Sequence, residues 1–198
     1  SFNGNKVITA GGGGCIITNK KFLAEKAKHL TTTAKIQHKW NFDHDMIGYN
    51  YRMPNLNAAL LVAQLEKLNK FIIKKRNIGK FYNKKIPKNK IFEKPLEKKN
   101  YAKNIYWVYG LLVKKKSPIS MNDLMKKLKK SGIETRNFFW PLHQQPVLKK
   151  MGLFKNVKLP VSENLAKNGL YLPSGLGMTS LQQKYVINKI NKIIFKYL

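Results

Sequence analysis

The opening of the chain carries two short apolar stretches and then one helical period. Val7–Thr9 and Cys15–Thr18 flank four consecutive glycines, Gly11–Gly14, which predicts a strand, a glycine turn and a second strand. A helix is expected from about Lys20 to His29. The side chains expected on its buried side are Phe22, Leu23 and Ala27.

The next segment has no sustained hydrophobic period. Residues 31–49 therefore predict a long ordered loop, and such loops are frequently functional. Pro54 stands where the first turn of a helix tolerates proline. Behind it, apolar residues recur at three- and four-residue steps, which predicts an amphipathic helix to about Asn83 that connects two parts of the protein. The apolar positions are Leu56, Leu60, Leu61, Leu65, Leu68 and Ile72.

The remaining sequence alternates between strand-like and helix-like segments. Strands are expected at Ile105–Val113 and Ile133–Arg136, with a rigid loop at Pro141–Pro146. Strands that alternate with helices indicate a layered α/β or α+β structure. The expected helices are one capped by Ser120 and ending at Gly132, one over Ser162–Asn168, and a last one capped by Thr179.

Composition narrows the class of protein. The chain has 198 residues and 43% hydrophobic residues, enough for one ordinary domain or two small ones with a real core. No stretch approaches the roughly 18 consecutive apolar residues that a membrane-spanning helix needs. A single cysteine, Cys15, excludes an internal disulfide and a site of several thiolates. These features predict a cytoplasmic protein without a membrane partner.

The charge is extreme, at a formal +30 with a pI near 10.2. Such a balance is typical of proteins that bind nucleic acid or anionic surfaces. However, only three of the 39 basic residues are arginines, and arginine is the residue that makes bidentate contacts to phosphate and guanine. Abundant Lys, Asn and Ile fit the drift of an A+T-rich genome. No nucleic-acid partner is therefore expected, and a basic nucleic-acid-binding module is the alternative.

Two groups near the N-terminus could carry chemistry. Lys6 comes directly before strand-like residues and a glycine turn, and a lysine in apolar surroundings can attack a carbonyl to form a Schiff base. Ser1 and Asn3 supply small polar groups beside it. The run Gly11–Gly14 could hold a phosphate, but it lacks the P-loop ending and the dinucleotide spacing, so a hairpin turn is favoured.

Further along, Asn50 and Arg52 stand just before a helix, where backbone N–H groups and a guanidinium favour an anion. A structural ion pair of Arg52 is the alternative. His143, in the stiff loop, could contact a ligand or have a structural partner. A metal site is not expected, because its candidate ligands show no helical ligand spacing. Those candidates are His29, His38, His44, His143, Asp43 and Asp45.

Taken together, these segments resemble the sugar aminotransferases of the DegT/DnrJ/EryC1/StrS family. The resemblance rests on four blocks in family order, and it covers essentially the whole chain. A finer similarity to LegC-type 4-aminotransferases includes Trp40–His44. The family usually has Gly-Glu-Gly-Gly where this chain has four glycines. The blocks are Ser1–Lys6 with the glycine turn, Gly48–Ala59, Pro141–Pro146, and Pro160–Glu163 with Leu172-Pro173.

The resemblance implies the aspartate-aminotransferase-like fold of type I enzymes that use pyridoxal 5'-phosphate (PLP). Family members are about twice this length, so it implies the C-terminal part only, inactive alone. The expected parts are the end of the PLP-binding large domain (1–53), a connecting helix (54–84) and a small α+β domain (85–198). A non-catalytic remnant is a second alternative. A related sugar 3-dehydratase carries histidine where this chain has Lys6.

The resemblance also implies roles for single residues. Lys6 would form the Schiff base with PLP and move the proton, and Ser1 would contact the cofactor phosphate. Asn50 would reach the phosphate of the neighbouring subunit's cofactor, which implies a homodimer with a shared active site. The expected substrate is a UDP-N-acetylglucosamine-derived 4-keto-6-deoxy sugar, with glutamate as the amino donor. Asn3, Arg52 and His143 would contact the substrate.

Overall fold

The structure is a computed structural model that describes residues 1–37 and 41–197. His38 and Trp40, named above as a metal candidate and as part of a resemblance, lie outside the described residues. The chain divides into two compact units. The first unit is Ser1–Phe71, and the second unit runs from Ile72 to the end of the chain. The three-part division at residues 53 and 84 stays a prediction.

The opening of the first unit is a closed loop, so the two predicted strands at Val7–Thr9 and Cys15–Thr18 are wrong. The backbone N–H of Phe2 donates to Gly13 O (2.9 Å), and that of Ala10 donates to Phe2 O (2.9 Å). A strand needs a neighbouring backbone along its length, and the described residues place none here. Ile17 is accordingly 89% exposed.

Three helices belong wholly or partly to the first unit. They are α1 (Lys21–Thr31), α2 (Asn55–Glu66) and the start of α3 (Leu68–Lys85). Their existence confirms the periodicity, although a break at Lys67 divides the predicted long helix in two. The predicted burial of Phe22 and Leu23 is wrong, because both are exposed. Periodicity marks an apolar face, but burial also needs a surface to pack against.

The second unit contains a four-stranded antiparallel sheet in the order β1-β4-β6-β5. Tyr109 pairs with Leu172 and Leu111 with Leu170, so the buried side chains of the two central strands share one face. A separate hairpin joins β2 and β3. The strands are β1 (Phe92–Glu93), β2 (Lys98–Lys99), β3 (Ala102–Lys103), β4 (Tyr109–Val113), β5 (Arg136–Asn137) and β6 (Gly169–Leu172).

Helices cover this sheet and complete the core. Helix α4 packs against α7 and β6, and α6 packs against β4 and β6. The predicted caps are confirmed: Ser120 Oγ accepts from Asp123 N (3.1 Å), and Thr179 forms a full capping box with Gln182. The helices are α4 (Met121–Lys130), α5 (Pro146–Lys150), α6 (Pro160–Asn168) and α7 (Ser180–Phe195), with a 3₁₀ turn at Leu142–Gln144.

Three tyrosines form the polar centre of this core. Tyr82 OH donates to Pro173 O (2.7 Å), and Tyr109 OH donates to Asn83 Oδ1 (2.8 Å). The Nδ2 of the same asparagine donates to Tyr106 OH (3.0 Å). Tyr106 has a positive φ of 51°, which interrupts the extended backbone. For that reason β4 begins at Tyr109 and not at Ile105 as predicted.

The ring of Phe138 lies over two glycines of neighbouring strands. A Cβ added to Gly110 would stand 2.7 Å from Phe138 Cζ, and one added to Gly169 would stand 2.4 Å from Phe138 Cδ2. The Phe138 ring also stacks on the ring of Tyr171, with centroids 4.7 Å apart. The two glycines therefore make the space in which this aromatic side chain packs.

Lys75 of α3 is a buried cation, only 4% exposed, whose Nζ donates to Ser174 O (2.5 Å). Burial lowers the pKa of its ammonium to about 8 from 10.5. Between these values the unfolded chain binds the proton and the folded chain does not, so stability rises with pH. We expect the free energy of unfolding to rise by about 2 kcal/mol between pH 7 and pH 9.5, measured by urea denaturation.

Lys75→Met should flatten this rise, because no proton is then released on folding. Lys74→Met is the matched control, since Lys74 is the exposed neighbour on the same helix and its loss should leave the slope unchanged. The window ends below pH 10 because burial raises the pKa of Tyr82 and Tyr109, whose unfolded forms titrate near 10. An equal slope in wild type and Lys75→Met would contradict the prediction.

Candidate functional site

The candidate site in the first unit begins with the loop that carries Lys6. The backbone N–H of Lys6 donates to Asn3 O (3.0 Å), which closes a tight turn. Thr9 Oγ1 donates to Phe2 O (3.0 Å) and accepts from Gly11 N (2.9 Å), so it fixes the loop from both sides. Lys6 is half-buried, whereas Ser1 and Asn3 are exposed. The local backbone therefore holds the lysine while the two small polar side chains face outward.

The glycine turn packs on the residues that begin α2. Gly11 and Gly13 have φ values of 78° and 80°, a conformation that favours glycine. A Cβ on Gly13 would stand 3.1 Å from Met53 Cε, so the turn lies close against the end of this flexible side chain. Asn57 Nδ2 donates to Ala10 O (2.5 Å) and joins α2 to the turn. Sequence reasoning did not assign Asn57 a role in the site, although it belongs to the second resemblance block.

Asn50 and Arg52 are brought together by direct contact. Arg52 Nη1 donates to Asn50 Oδ1 (3.2 Å), and Nη2 donates to Thr32 O (3.2 Å). Both partners are neutral oxygens, so they do not compensate the positive charge of the guanidinium, which can still attract an anion. Tyr49 and Tyr51 precede and follow Asn50 in the sequence, and their rings stack on each other with centroids 5.2 Å apart. Thr32, whose carbonyl aims the guanidinium, was not predicted.

A cavity of about 920 Å³ opens beside these residues within the first unit. Its walls come from the glycine turn, from the α1 face that carries Lys28, and from Arg52 and Asn57. The described lining contains two cations and no carboxylate, which favours an anionic ligand. Lys6, Ser1 and Asn50 are not among its lining residues. The candidate site thus consists of an anion-favouring cavity and a neighbouring loop with an amine.

The predicted loop at 31–49 is ordered by backbone pairing where the structure describes it. Tyr49 N donates to Leu30 O (2.7 Å) and Tyr51 N donates to Thr31 O (2.9 Å), while Asp45 N donates to Ala34 O (3.3 Å). His29 Nε2 lies 2.6 Å from Asp45 Oδ1. That hydrogen bond, followed by the charges of His29 and Lys26, holds the pKa of the Asp45 carboxyl below its usual value.

His143 belongs to the second unit and has a carboxylate partner. Its side chain is buried, and Nε2 lies 2.9 Å from Glu163 Oε1. The same oxygen accepts from Leu159 N (3.0 Å), just before α6. The hydrogen bond from His143 is the main reason that the pKa of the Glu163 carboxyl lies below its usual value. The geometry gives His143 a structural partner, and its contact with a substrate stays a prediction.

Across residues 1–37 and 41–197, no group of three or more His, Cys, Asp or Glu side chains is placed to hold a metal ion. Within the same residues, no helix combines the length and the apolar character needed to cross a membrane.

Comparison with known proteins decides the family. The model of the DegT/DnrJ/EryC1/StrS aminotransferase family matches residues 1–191. The chain belongs to this family. The resemblance drawn from the four sequence blocks is thereby confirmed.

Two named relatives match nearly the whole of this chain. The chain is 36% identical over 192 residues to a GDP-perosamine synthase of Escherichia coli O157:H7, covering 97% of this chain and 50% of the relative. It is 29% identical over 197 residues to a UDP-4-amino-4,6-dideoxy-N-acetyl-beta-L-altrosamine transaminase of Campylobacter jejuni, covering 99% of this chain and 52% of the relative. The chain therefore spans about half the length of these relatives.

A solved structure supports the fold. The putative sugar aminotransferase Spr1654 from Streptococcus pneumoniae, in its PMP-form, superposes with a TM-score of 0.85 at 18% identity. The match covers 100% of this chain and 53% of that one. The predicted aminotransferase-like α/β fold class is confirmed.

Proposed function

We propose that this chain belongs to a PLP-dependent enzyme that transfers an amino group to a nucleotide-linked keto sugar. The observation that carries the proposal is the loop of Lys6, which is joined through the backbone of Phe2 to the glycine turn that forms one wall of an anion-favouring cavity, in a chain of this family. The relatives named as a GDP-perosamine synthase and a UDP-sugar transaminase support the substrate class.

The donor set fits the cofactor. PLP presents a phosphate and an aldehyde, and the candidate site presents a serine hydroxyl, a lysine amine, an amide and a guanidinium. These groups suit a dianion and a carbonyl, and the absence of carboxylates from the described cavity lining avoids repulsion of the phosphate. When bound, PLP supplies the electron sink that stabilises a carbanion at the amino-bearing carbon.

Each residue then has a distinct task. Lys6 would hold the cofactor through its amine and move a proton at Nζ; its side chain is half-buried, and its backbone is fixed by the bond to Asn3 O. Ser1 would donate its hydroxyl to the cofactor phosphate. Asn50, aimed by its contact with Arg52, would reach the phosphate of the neighbouring subunit's cofactor. The proposal therefore includes a homodimer with a shared site.

The substrate end of the proposal involves three further residues. Arg52 would attract the diphosphate or a carboxylate through its guanidinium, while Asn3 and His143 would contact the sugar or the donor. Glutamate is the proposed amino donor, and a UDP-linked 4-keto-6-deoxy sugar, as in LegC-type enzymes, is the proposed acceptor. A cytoplasmic location, and the division into a large-domain part, a connecting helix and a small domain, belong to the same proposal.

The test is borohydride trapping of PLP on the product of the native gene, followed by peptide mass mapping. PLP should be used at one equivalent, because 36 lysines supply a background of non-specific adducts. We expect one dominant pyridoxyl adduct on the peptide that carries Lys6. Adducts spread evenly over surface lysines, with no preference for Lys6, would overturn the proposal and favour a non-catalytic remnant or a basic binding module.

A further inference from the structure

Asn50 and Arg52 lie at the end of a segment whose position depends on α1. This Asn50 segment (residues 43–52) runs antiparallel to residues 30–36 and is joined to them by the backbone bonds of Asp45, Tyr49 and Tyr51. Gly48 lies so close to Thr33 and Ala34 that a Cβ there would stand 2.4 Å from their backbone atoms. The backbone contact is tight, so a small shift of the segment would move both side chains.

One side-chain hydrogen bond, between His29 and Asp45, joins the two sides of this contact. His29 stands in the last turn of α1, and its Nε2 lies 2.6 Å from Asp45 Oδ1, with the two side chains 29% and 43% exposed. Among the described residues, the other charged group that faces Asp45 is Lys26, whose Nζ also contacts Met46 Sδ. His44, on the segment itself, directs Nδ1 to Thr33 O (2.8 Å).

We propose that His29 and Asp45 are positioning residues whose hydrogen bond fixes the Asn50 segment, and with it the phosphate-directed Asn50 and its partner Arg52. The pair spans 16 residues of sequence and joins a helix to a loop, so it restrains the segment near the start of its backbone bonds to residues 30–36. This inference rests on the proposed function, because it assigns the restraint to binding of the cofactor phosphate.

Asp45→Asn keeps the shape of the side chain and removes its charge. We expect the dissociation constant for PLP, measured by equilibrium dialysis on the product of the native gene, to rise about threefold, the size of a partly exposed side-chain hydrogen bond. His29→Gln should raise the dissociation constant by the same factor. The double variant should bind PLP no more weakly than either single variant, because both substitutions remove the same contact. Amide exchange at Tyr49 and Tyr51 should quicken in all three variants.

Glu25→Gln is the matched control. Glu25 forms an exposed ion pair with Lys21 on the same helix, so its replacement removes the same charge without touching the segment. It should leave the PLP dissociation constant and both amide exchange rates unchanged. The thermal midpoints of Asp45→Asn and Glu25→Gln should agree. A weaker affinity for PLP in Asp45→Asn would then not result from a less stable fold.

The outcomes separate this inference from the proposed function. Unchanged PLP affinity and unchanged exchange in Asp45→Asn would overturn the positioning role while the function stands. Faster exchange with unchanged affinity would also overturn it, because the pair would then serve only the loop. If wild type binds no PLP, the proposed function fails first, and the exchange data then assign the pair to the fold.

Discussion

Lys6→Ala is expected to remove the pyridoxyl adduct from its peptide and to reduce transamination by roughly 10²–10⁴-fold. The methyl group that replaces the side chain can neither hold the cofactor nor move a proton. Because the turn at Lys6 is made by its backbone N–H and Asn3 O, the loop should persist in the variant. The measurement is borohydride trapping at one equivalent of PLP, together with the rate of amino transfer from glutamate to a UDP-linked keto sugar.

Two variants make this result interpretable. Lys6→Arg keeps a positive charge but lacks a nucleophilic amine, so it should lose the adduct as completely as Lys6→Ala. Lys20→Ala removes another lysine of the same unit, an exposed one that precedes α1, and should leave the adduct and the rate unchanged. An adduct of wild-type yield in Lys6→Arg would contradict the role of Lys6.

Local sequence patterns predicted those parts of the fold that local interactions determine. The caps at Ser120 and Thr179 and the existence of β4 follow from residues that are close in sequence. The start of β4 did not, because the positive φ of Tyr106 goes with a packed position against Gly79, where a Cβ would stand 2.4 Å from the ring. The burial of Phe22 was mispredicted because a helical period does not reveal whether a partner surface exists.

The candidate site shows the same division. Residues at motif positions, such as Lys6 and Arg52, could be proposed from the sequence because their spacing is recorded there, and their roles stay predictions. The long-range contacts of this region were not predicted, since Thr32 meets Arg52 across 20 residues and His29 meets Asp45 across 16. Those contacts depend on the path of a loop without a hydrophobic period, and the spacing of hydrophobic residues carries no information about that path.

The packing of Phe138 yields the second large effect. Gly169 has φ −95° and ψ 139°, an ordinary extended conformation, so its backbone would accept any residue. What forbids a side chain is space: a Cβ would stand 2.4 Å from Phe138 Cδ2 and 2.5 Å from Leu165 O. The aromatic ring is also held by its stack on Tyr171 and by Gly110 below it, so it cannot move away freely.

Gly169→Ala is therefore expected to lower the free energy of unfolding by about 3 kcal/mol, the upper part of the range for overpacked sites, because one clashing atom is backbone. Gly175→Ala is the control: nothing lies within 4 Å of its added Cβ, so it should stabilise the chain by about 0.5 kcal/mol through the unfolded state. Phe138→Leu should recover part of the loss in the double variant, since it removes ring atoms but not Leu165 O. The free energy of unfolding of each variant is measured by urea denaturation. A Gly169→Ala variant as stable as wild type would show that Phe138 is free to shift.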